Sequence, residues 1–475
     1  MELNLNTEYR LEHDLVGELQ VPAEAYYGIH SLRAKENFPI TGRELFPEMI
    51  DAIAWIKKAC ARANVEAGVM DKRIGDAIEQ ACEEIVNGKM HDQFIVDPVQ
   101  GGAGTSTNMN ANEVIANRAI EILGGTKGDY TVVNPNDHVN CGQSTNDVYP
   151  SCGKMALYQI SDGLRDELLR LIYAFDDKAE EFDDVVKMGR TQLQDAVPIR
   201  LGQEFAAYSA MMRRELRRFL TAREDLLFLN LGGTAIGTGV NAHPDYIDNV
   251  VKVLAKMTEV PFRQSSDLID ATQNLDVYVS LSSSLKGCAV ALSKICNDLR
   301  LMSSGPRDGL GEIVLPARQN GSSIMPGKIN PVIPEVVNQI AFRIIGYDMT
   351  VSLAAEGGQL ELNAFEPIIF DSLIQGVLQL THGITTLIDH CVSGIVANEE
   401  ECSDQVRRSA GLVTALCPII GYNTACSIAK EAMRTGVALE DLVVNKYHLL
   451  SAEEARKALD PMPMTDVRNT PAGQE

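Results

Sequence analysis

Gly321-Ser322-Ser323-Ile324-Met325-Pro326-Gly327-Lys328-Ile329-Asn330-Pro331 is dense in glycine and proline, and it also carries two hydroxyls, one ammonium and one carboxamide. Glycine lets the backbone take positive φ, while proline fixes φ and removes a donor, so neither a helix nor a strand runs through this stretch. Seen more widely, breakers recur at Pro306, Gly309, Gly311, Pro316, Gly321, Pro326, Gly327 and Pro331. A connection of that length without regular structure is uncommon inside a compact chain and is usually a lid, a binding loop or disorder. Ile313, Val314, Leu315, Ile324, Met325 and Ile329 call for burial, which argues against disorder. The expectation is a lid over a site.

On both sides of this loop the apolar residues keep helical spacing. Leu281, Leu285, Cys288, Leu292, Ile295, Leu299 and Met302 alternate by four and three, and Leu373, Val377, Leu380, Ile384, Leu387 and Cys391 do the same. These are the seams of a helix bundle. Leu157, Ile160, Leu164, Leu168, Leu171, Phe175, Ala179 and Phe182 mark one face of a helix expected from about Pro150 to Asp184, and another follows from Arg200 to about Asn230. Five long helices are expected between Ser144 and about Asn398. Rods of about 30 residues, rising about 1.5 Å each, are on the order of 45 Å long. A rod-like bundle with several apolar stripes needs partner bundles, so a homo-oligomer is expected.

Towards the N-terminus, residues 1–50 read as irregular. Helices are expected from about Pro47, from Asp71 to Asn87, and near Ala111 after the glycine-rich Gly101-Gly-Ala-Gly-Thr-Ser-Thr-Asn-Met-Asn. Such a loop offers free backbone donors at a helix N-terminus, which favours an anionic group. Two further polar interruptions stand before long helices: Asn134 to Asp147, and Gly189-Arg-Thr-Gln-Leu-Gln-Asp-Ala-Val-Pro198. Beyond Glu399 the pattern is shorter and broken by glycine and proline. The expected organisation is therefore 1–143, a mainly helical N-terminal domain; 144–398, the long-helix bundle with its loop; and 399–475, a small helical domain.

The chain has 475 residues, 42 basic and 65 acidic, for a net charge of −23. That balance argues against nucleic-acid and anionic-membrane partners. A site for an anion must be locally positive, through lysine, arginine or helix N-termini. The ten cysteines form no Cys-x-x-Cys pair and read as small buried hydrophobes in a reducing compartment. Met1 to Tyr9 is polar and acidic, unlike a secretory signal, and no apolar run reaches the length of a membrane span. A soluble, cytoplasmic protein is expected. His382 and His390 lie eight apart, not in a ligand pair, and no metal site is legible. No Gly-Lys-Ser/Thr follows the glycine-rich loop, and no Gly-x-Ser-x-Gly elbow is present, so phosphate-loop and serine-hydrolase chemistry are not indicated.

The run Gly321 to Pro331 resembles the signature of the fumarase/aspartase superfamily, and the Val21-Pro-Ala-Glu-Ala-Tyr-Tyr-Gly-Ile-His segment and both polar interruptions resemble its other conserved regions. The resemblance implies a mainly α, three-domain fold whose central five-helix bundle assembles into a homotetrameric twenty-helix core. It implies active sites shared between subunits, three contributing to each. It also implies a lyase that eliminates ammonia, water or an amine from a succinyl-type substrate and leaves fumarate. Two departures separate the branches: Gln192 stands where water-eliminating members have histidine, and Asn134 precedes Pro135 where they have histidine. Some ammonia-eliminating members keep histidine at the position of Gln192, so glutamine points one way without being obligatory. The expected reaction is L-aspartate to fumarate and ammonia. L-Malate to fumarate and water is the alternative, and a non-catalytic structural member is the remote one. Ser322, Lys328 and Asn330 all being present argues against the last.

Removing a proton next to a carboxylate creates an enediolate with two negative charges on one group, which prearranged donors in a closed site must stabilise. The resemblance assigns Thr105, Ser144, Thr145 and Ser323 to the β-carboxylate and that developing charge. It assigns Asn146, Thr191 and Gln192 to the amino group, Lys328 and Asn330 to the α-carboxylate, and Ser322 to the base. A serine base requires a stabilised alkoxide, from loop N–H groups and Lys328; a plain ligand-binding hydroxyl is the other reading of Ser322. No cofactor is implied. Some members are helped by Mg²⁺, so a regulatory divalent cation stays open.

Overall fold

The computed structural model describes residues 8–466. Residues 8–50 are more ordered than expected. β1 (Tyr9–His13) and β2 (Glu18–Pro22) pair antiparallel, and α1 (Ile29–Asn37) follows. Much of this order hangs on Arg10. Its guanidinium donates to the carbonyls of Pro22, Ala23, Ala25 and Tyr27 at 2.7–3.1 Å. A side chain acting across fifteen residues leaves no periodic trace in a sequence.

α2 (Pro47–Glu66) and α3 (Lys72–Val86) fall where they were expected, α3 capped by Asp71, whose carboxylate accepts from the Arg73 N–H. α4 (Thr105–Ile122) starts one and a half turns earlier than expected, directly on the glycine-rich loop. Gly104 caps it at φ 90°, and a Cβ there would lie 2.3 Å from the Tyr149 ring. Only glycine satisfies both the left-handed backbone and that approach.

Then come α5 (Thr145–Glu181), β3 (Val186–Thr191) paired antiparallel with β4 (Gln194–Arg200), and α6 (Leu201–Glu224). β5 (Phe228–Leu229) and β6 (Arg263–Gln264) are a short parallel pair around α7 (Pro244–Thr258). After the single turn α8 (Asp270–Gln273) run α9 (Asp276–Met302), β7 (Ile313–Val314), α10 (Val332–Glu356), α11 (Glu366–His390) and β8 (Val396–Ala397), β7 and β8 pairing antiparallel. α12 (Glu399–Arg408), α13 (Cys417–Ile420) and α14 (Tyr422–Thr435) lead into the shorter C-terminal helices. The fold is mainly helical, and α5, α6, α9, α10 and α11 are the five long helices expected.

α5 corrects the reading of one boundary. It begins at Thr145, not at Pro150, and Pro150 lies inside it. Proline cannot donate to the carbonyl four residues back, that of Asn146. The Asn230 side chain takes that place, its Nδ2 donating to Asn146 O at 2.9 Å.

The Gly189–Pro198 interruption is likewise not a loop but the β3–β4 hairpin. Its two-residue connection, Gln192 and Leu193, has φ of 54° and 61°. That is the left-handed geometry of tight hairpin turns, usually occupied by asparagine and glycine, so the sequence carried no signal for it.

By packing, the described residues form two compact units: one from segments up to 165, 217–289 and 342–380, the other from 166–216, 290–341 and 381 onward. Each of the five long helices contributes one end to each unit. In the first, Phe370 meets Tyr149 at 5.3 Å and Tyr278 edge-on at 5.1 Å between ring centroids. In the second, Phe205 packs on Phe182 at 5.4 Å and on Tyr208 at 5.7 Å, and Met188 shares a cluster with Val406, Leu412, Leu416 and Ile428. The cysteines are free and most are buried, as read from the sequence. Among the described residues no helix is long and apolar enough to cross a membrane.

Candidate active site

In the first unit two helix N-termini carry candidate residues. Thr105 opens α4, its hydroxyl donating to Gly102 O at 2.7 Å. Ser144 precedes α5, and its Oγ accepts from the Asn146 N–H at 3.2 Å. One turn into α4, Asn108 donates to Thr145 Oγ1 at 3.2 Å, tying the two helix starts together. Asn146 donates to Ala235 O at 2.7 Å, which orients its carboxamide. The positive dipole ends of α4 and α5 make this a region suited to negative charge.

Beneath it lies a polar centre to which the sequence reading gave no role. Lys57 is fully buried and donates to Asn140 Oδ1 at 2.9 Å and Gln143 Oε1 at 2.8 Å. Burial pulls its pKa down to about 8, against the opposing pull of nearby Asp147. Asp147, also fully buried, accepts from the N–H groups of Ser144 (2.9 Å), Gly232 (2.9 Å) and Thr234 (3.2 Å). Burial raises its pKa to about 6, moderated by those donors and by Lys57. Asp147 thus fixes the backbone on which Ser144 to Asn146 stand. A clue was available: Lys57 lies amid Ile53, Ala54, Cys60 and Ala61, all buried, so a lysine interrupts an apolar stripe.

The other candidates belong to the second unit. Thr191 and Gln192 form the exposed tip of the β3–β4 hairpin. Arg190, just before them, pairs with Glu312 at 2.5 Å and donates to Gln405 Oε1 at 2.7 Å. Ser322, Ser323, Lys328 and Asn330 lie on a loop that closes on itself: the Gly321 N–H donates to Lys328 O at 2.9 Å, and Asn330 Nδ2 donates to Gly321 O at 2.9 Å. A Cβ on Gly321 would come within 2.5 Å of Lys328 O, so the closure requires glycine. The Ser322 Oγ accepts from the N–H groups of Ile324 (3.2 Å) and Met325 (3.0 Å).

One expectation needs correction here. Ile324 is 83% exposed, and Met325, Ile329 and Val314 are about half exposed. Ile324, Met325 and Ile329 stand on a loop closed by its own backbone, without neighbours in the chain to bury them; in the β7–β8 pair successive residues face opposite sides, so Ile313 is buried and Val314 exposed. Four of the ten candidates belong to the first unit and six to the second, in line with the expectation that one chain does not supply a whole site. Thr105 and Ser144 to Asn146 form one group. Among the described residues no hydrogen bond joins the hairpin tip to the 321–330 loop. Asn134 and His138 serve the local turn, the Asn134 N–H donating to His138 Nδ1 at 2.9 Å. Among the described residues no group of three or more His, Cys, Asp or Glu is placed to hold a metal ion.

Comparison with known proteins bears on what this arrangement is for. Residues 17–346 match the family model described as lyase, and residues 412–466 match that described as fumarase C C-terminus. The aspartate ammonia-lyase of Bacillus subtilis (strain 168) is 53% identical, covering 98% of this chain and 97% of its own length. That of Bacillus sp is 50% identical, covering 97% and 98%. Among solved structures, a fumarate lyase:delta crystallin from Brucella melitensis bound to cobalt superposes with a TM-score of 0.94 at 47% identity, covering 97% of this chain and all of that one.

Proposed function

The chain belongs to the fumarase/aspartase family of lyases, and on that premise we propose that it converts L-aspartate to fumarate and ammonia. The observation that carries this reading is about 50% identity to aspartate ammonia-lyases over nearly the whole of both chains. Gln192, in place of the histidine of water-eliminating members, agrees with it.

In this reading Ser322 removes the Cβ proton. The two N–H groups already directed at its Oγ support the role, because they stabilise the alkoxide. The enediolate that forms is met by Thr105, Ser144, Thr145 and Ser323, the first three of which stand at the starts of α4 and α5. Asn146, Thr191 and Gln192 hold the departing amino group, and Lys328 and Asn330 hold the α-carboxylate. Nothing in these steps calls for a cofactor, and activation by a divalent cation such as Mg²⁺ would act outside them.

The same reading makes the protein a cytoplasmic homotetramer with sites completed by more than one copy. An exposed stripe on α10 supports association: Phe342 (63%), Ile345 (39%), Met349 (62%) and Leu353 (64%) follow helical spacing along one face. The three-part division at residues 143 and 398 belongs to this reading too. The test of the reaction is fumarate absorbance with L-aspartate and, separately, L-malate. Aspartate should be consumed and malate should be a poor substrate; faster turnover of malate would make the protein a fumarate hydratase.

A further inference from the structure

The tip that carries Gln192 is strained and is not held by its own residues. Gln192 and Leu193 are both left-handed without being glycine or asparagine, Leu193 is 70% exposed, and among the described residues no side chain of Thr191 to Gln194 makes a hydrogen bond. Such a conformation persists only where the surroundings over-determine it.

The restraints sit one residue beyond the paired ends on each strand. On β4, Asp195 accepts from Ser409 Oγ at 2.8 Å. On β3, Arg190 is held by Glu312 and Gln405. Glu312 is fully buried and takes a second cation from the same strand, Lys187 Nζ at 3.0 Å, which in turn meets Glu204 at 3.0 Å. Lys187 and Arg190 straddle the register shift between Met188 and Arg190, where a Cβ on Gly189 would lie 2.7 Å from Val197 O. One carboxylate thus fixes both sides of the bulge that aims the tip. Its own backbone is anchored as well: the Glu312 N–H donates to Met302 O, and Glu312 O accepts from the Asn398 N–H, both at 2.9 Å.

We propose that Glu312 is a positioning residue for Gln192, acting through Arg190, and so sets recognition of the departing amino group. The inference rests on the assignment of Gln192 to that group. Buried charges held by fixed partners orient what they bind, and misplacing a contact group by about 1 Å costs up to roughly 100-fold.

The test uses the reverse reaction, with ammonium and fumarate varied separately. Glu312→Gln should raise the KM for ammonium roughly 10- to 100-fold and leave that for fumarate within about twofold. Gln405→Leu, which removes the other partner of Arg190 at a partly buried site, should do the same more weakly; it decides the matter if melting shows that Glu312→Gln does not fold. In a variant that melting shows to be folded, unchanged KM values for both substrates would overturn the proposal, as would an equal rise in both. Gln192→Ala separates the two readings. If it leaves the ammonium KM unchanged, the amino-group assignment fails and takes this inference with it. If it raises that KM while the Glu312 and Gln405 variants do not, the positioning role alone is wrong.

Discussion

The Oγ of Ser322 accepts a 3.0 Å hydrogen bond from the backbone N–H of Met325, and a second from Ile324. Both donors belong to the loop itself, so the arrangement exists before any substrate arrives. Ser322→Ala should lower kcat by roughly 10² to 10⁴, the span for losing a general base. Thermal melting should fall only slightly, because the residue lies in a loop outside the buried core. Near-normal kcat by fumarate absorbance would remove Ser322 from the base role.

Lys328 makes no ion pair among the described residues, whereas Arg190 and Arg318 are engaged. Arg190 is paired with Glu312, and Arg318 donates to the carbonyls of His390 and Asp389 at the end of α11. Lys328→Ala should therefore raise the KM for L-aspartate about 10- to 100-fold, the worth of a hydrogen bond to a charged group. An unchanged KM would show that another residue neutralises the substrate.

Sharing of sites between copies is testable by complementation. Thr191→Ala and Ser322→Ala, each inactive alone, are unfolded and refolded together in equal amounts. If different subunits donate these residues, random mixing leaves both intact at roughly a quarter of sites, each donor being the right type half the time. No recovery, with mixed oligomers demonstrated, would mean that one chain supplies both.

Buried Lys57 should leave a signature in stability. Its folded pKa of about 8 lies below the ordinary value near 10.5. The stability contribution is fully present above 10.5 and is lost as pH falls through about 8. Its full span is roughly 3 kcal/mol, at 1.36 kcal/mol per pKa unit. The melting temperature of the native protein relative to Lys57→Met should therefore rise between pH 8 and 10. A flat difference would mean that Lys57 titrates normally despite its burial.

The sequence alone determined the helical architecture and the identity of most candidate residues. Apolar spacing of three and four over long runs reports a buried face directly, so α5, α9 and α11 were legible from it, and the number of long helices with them. The loop around Ser322 was legible for a similar reason, since glycine and proline forbid regular structure locally.

What only the tertiary structure decided depends on partners far apart in the chain. Asn230 relieves the carbonyl that Pro150 abandons, so a helix crosses a proline where a boundary was expected. Lys57 and Asp147 are tolerated in the core because Asn140, Gln143, Gly232 and Thr234 converge on them. Glu312 reaches Arg190 across 122 residues and helps hold a hairpin whose turn residues favour no such turn. Local propensity is a property of neighbours in sequence. The desolvation of a charge, and the bonds that offset it, are properties of neighbours in space.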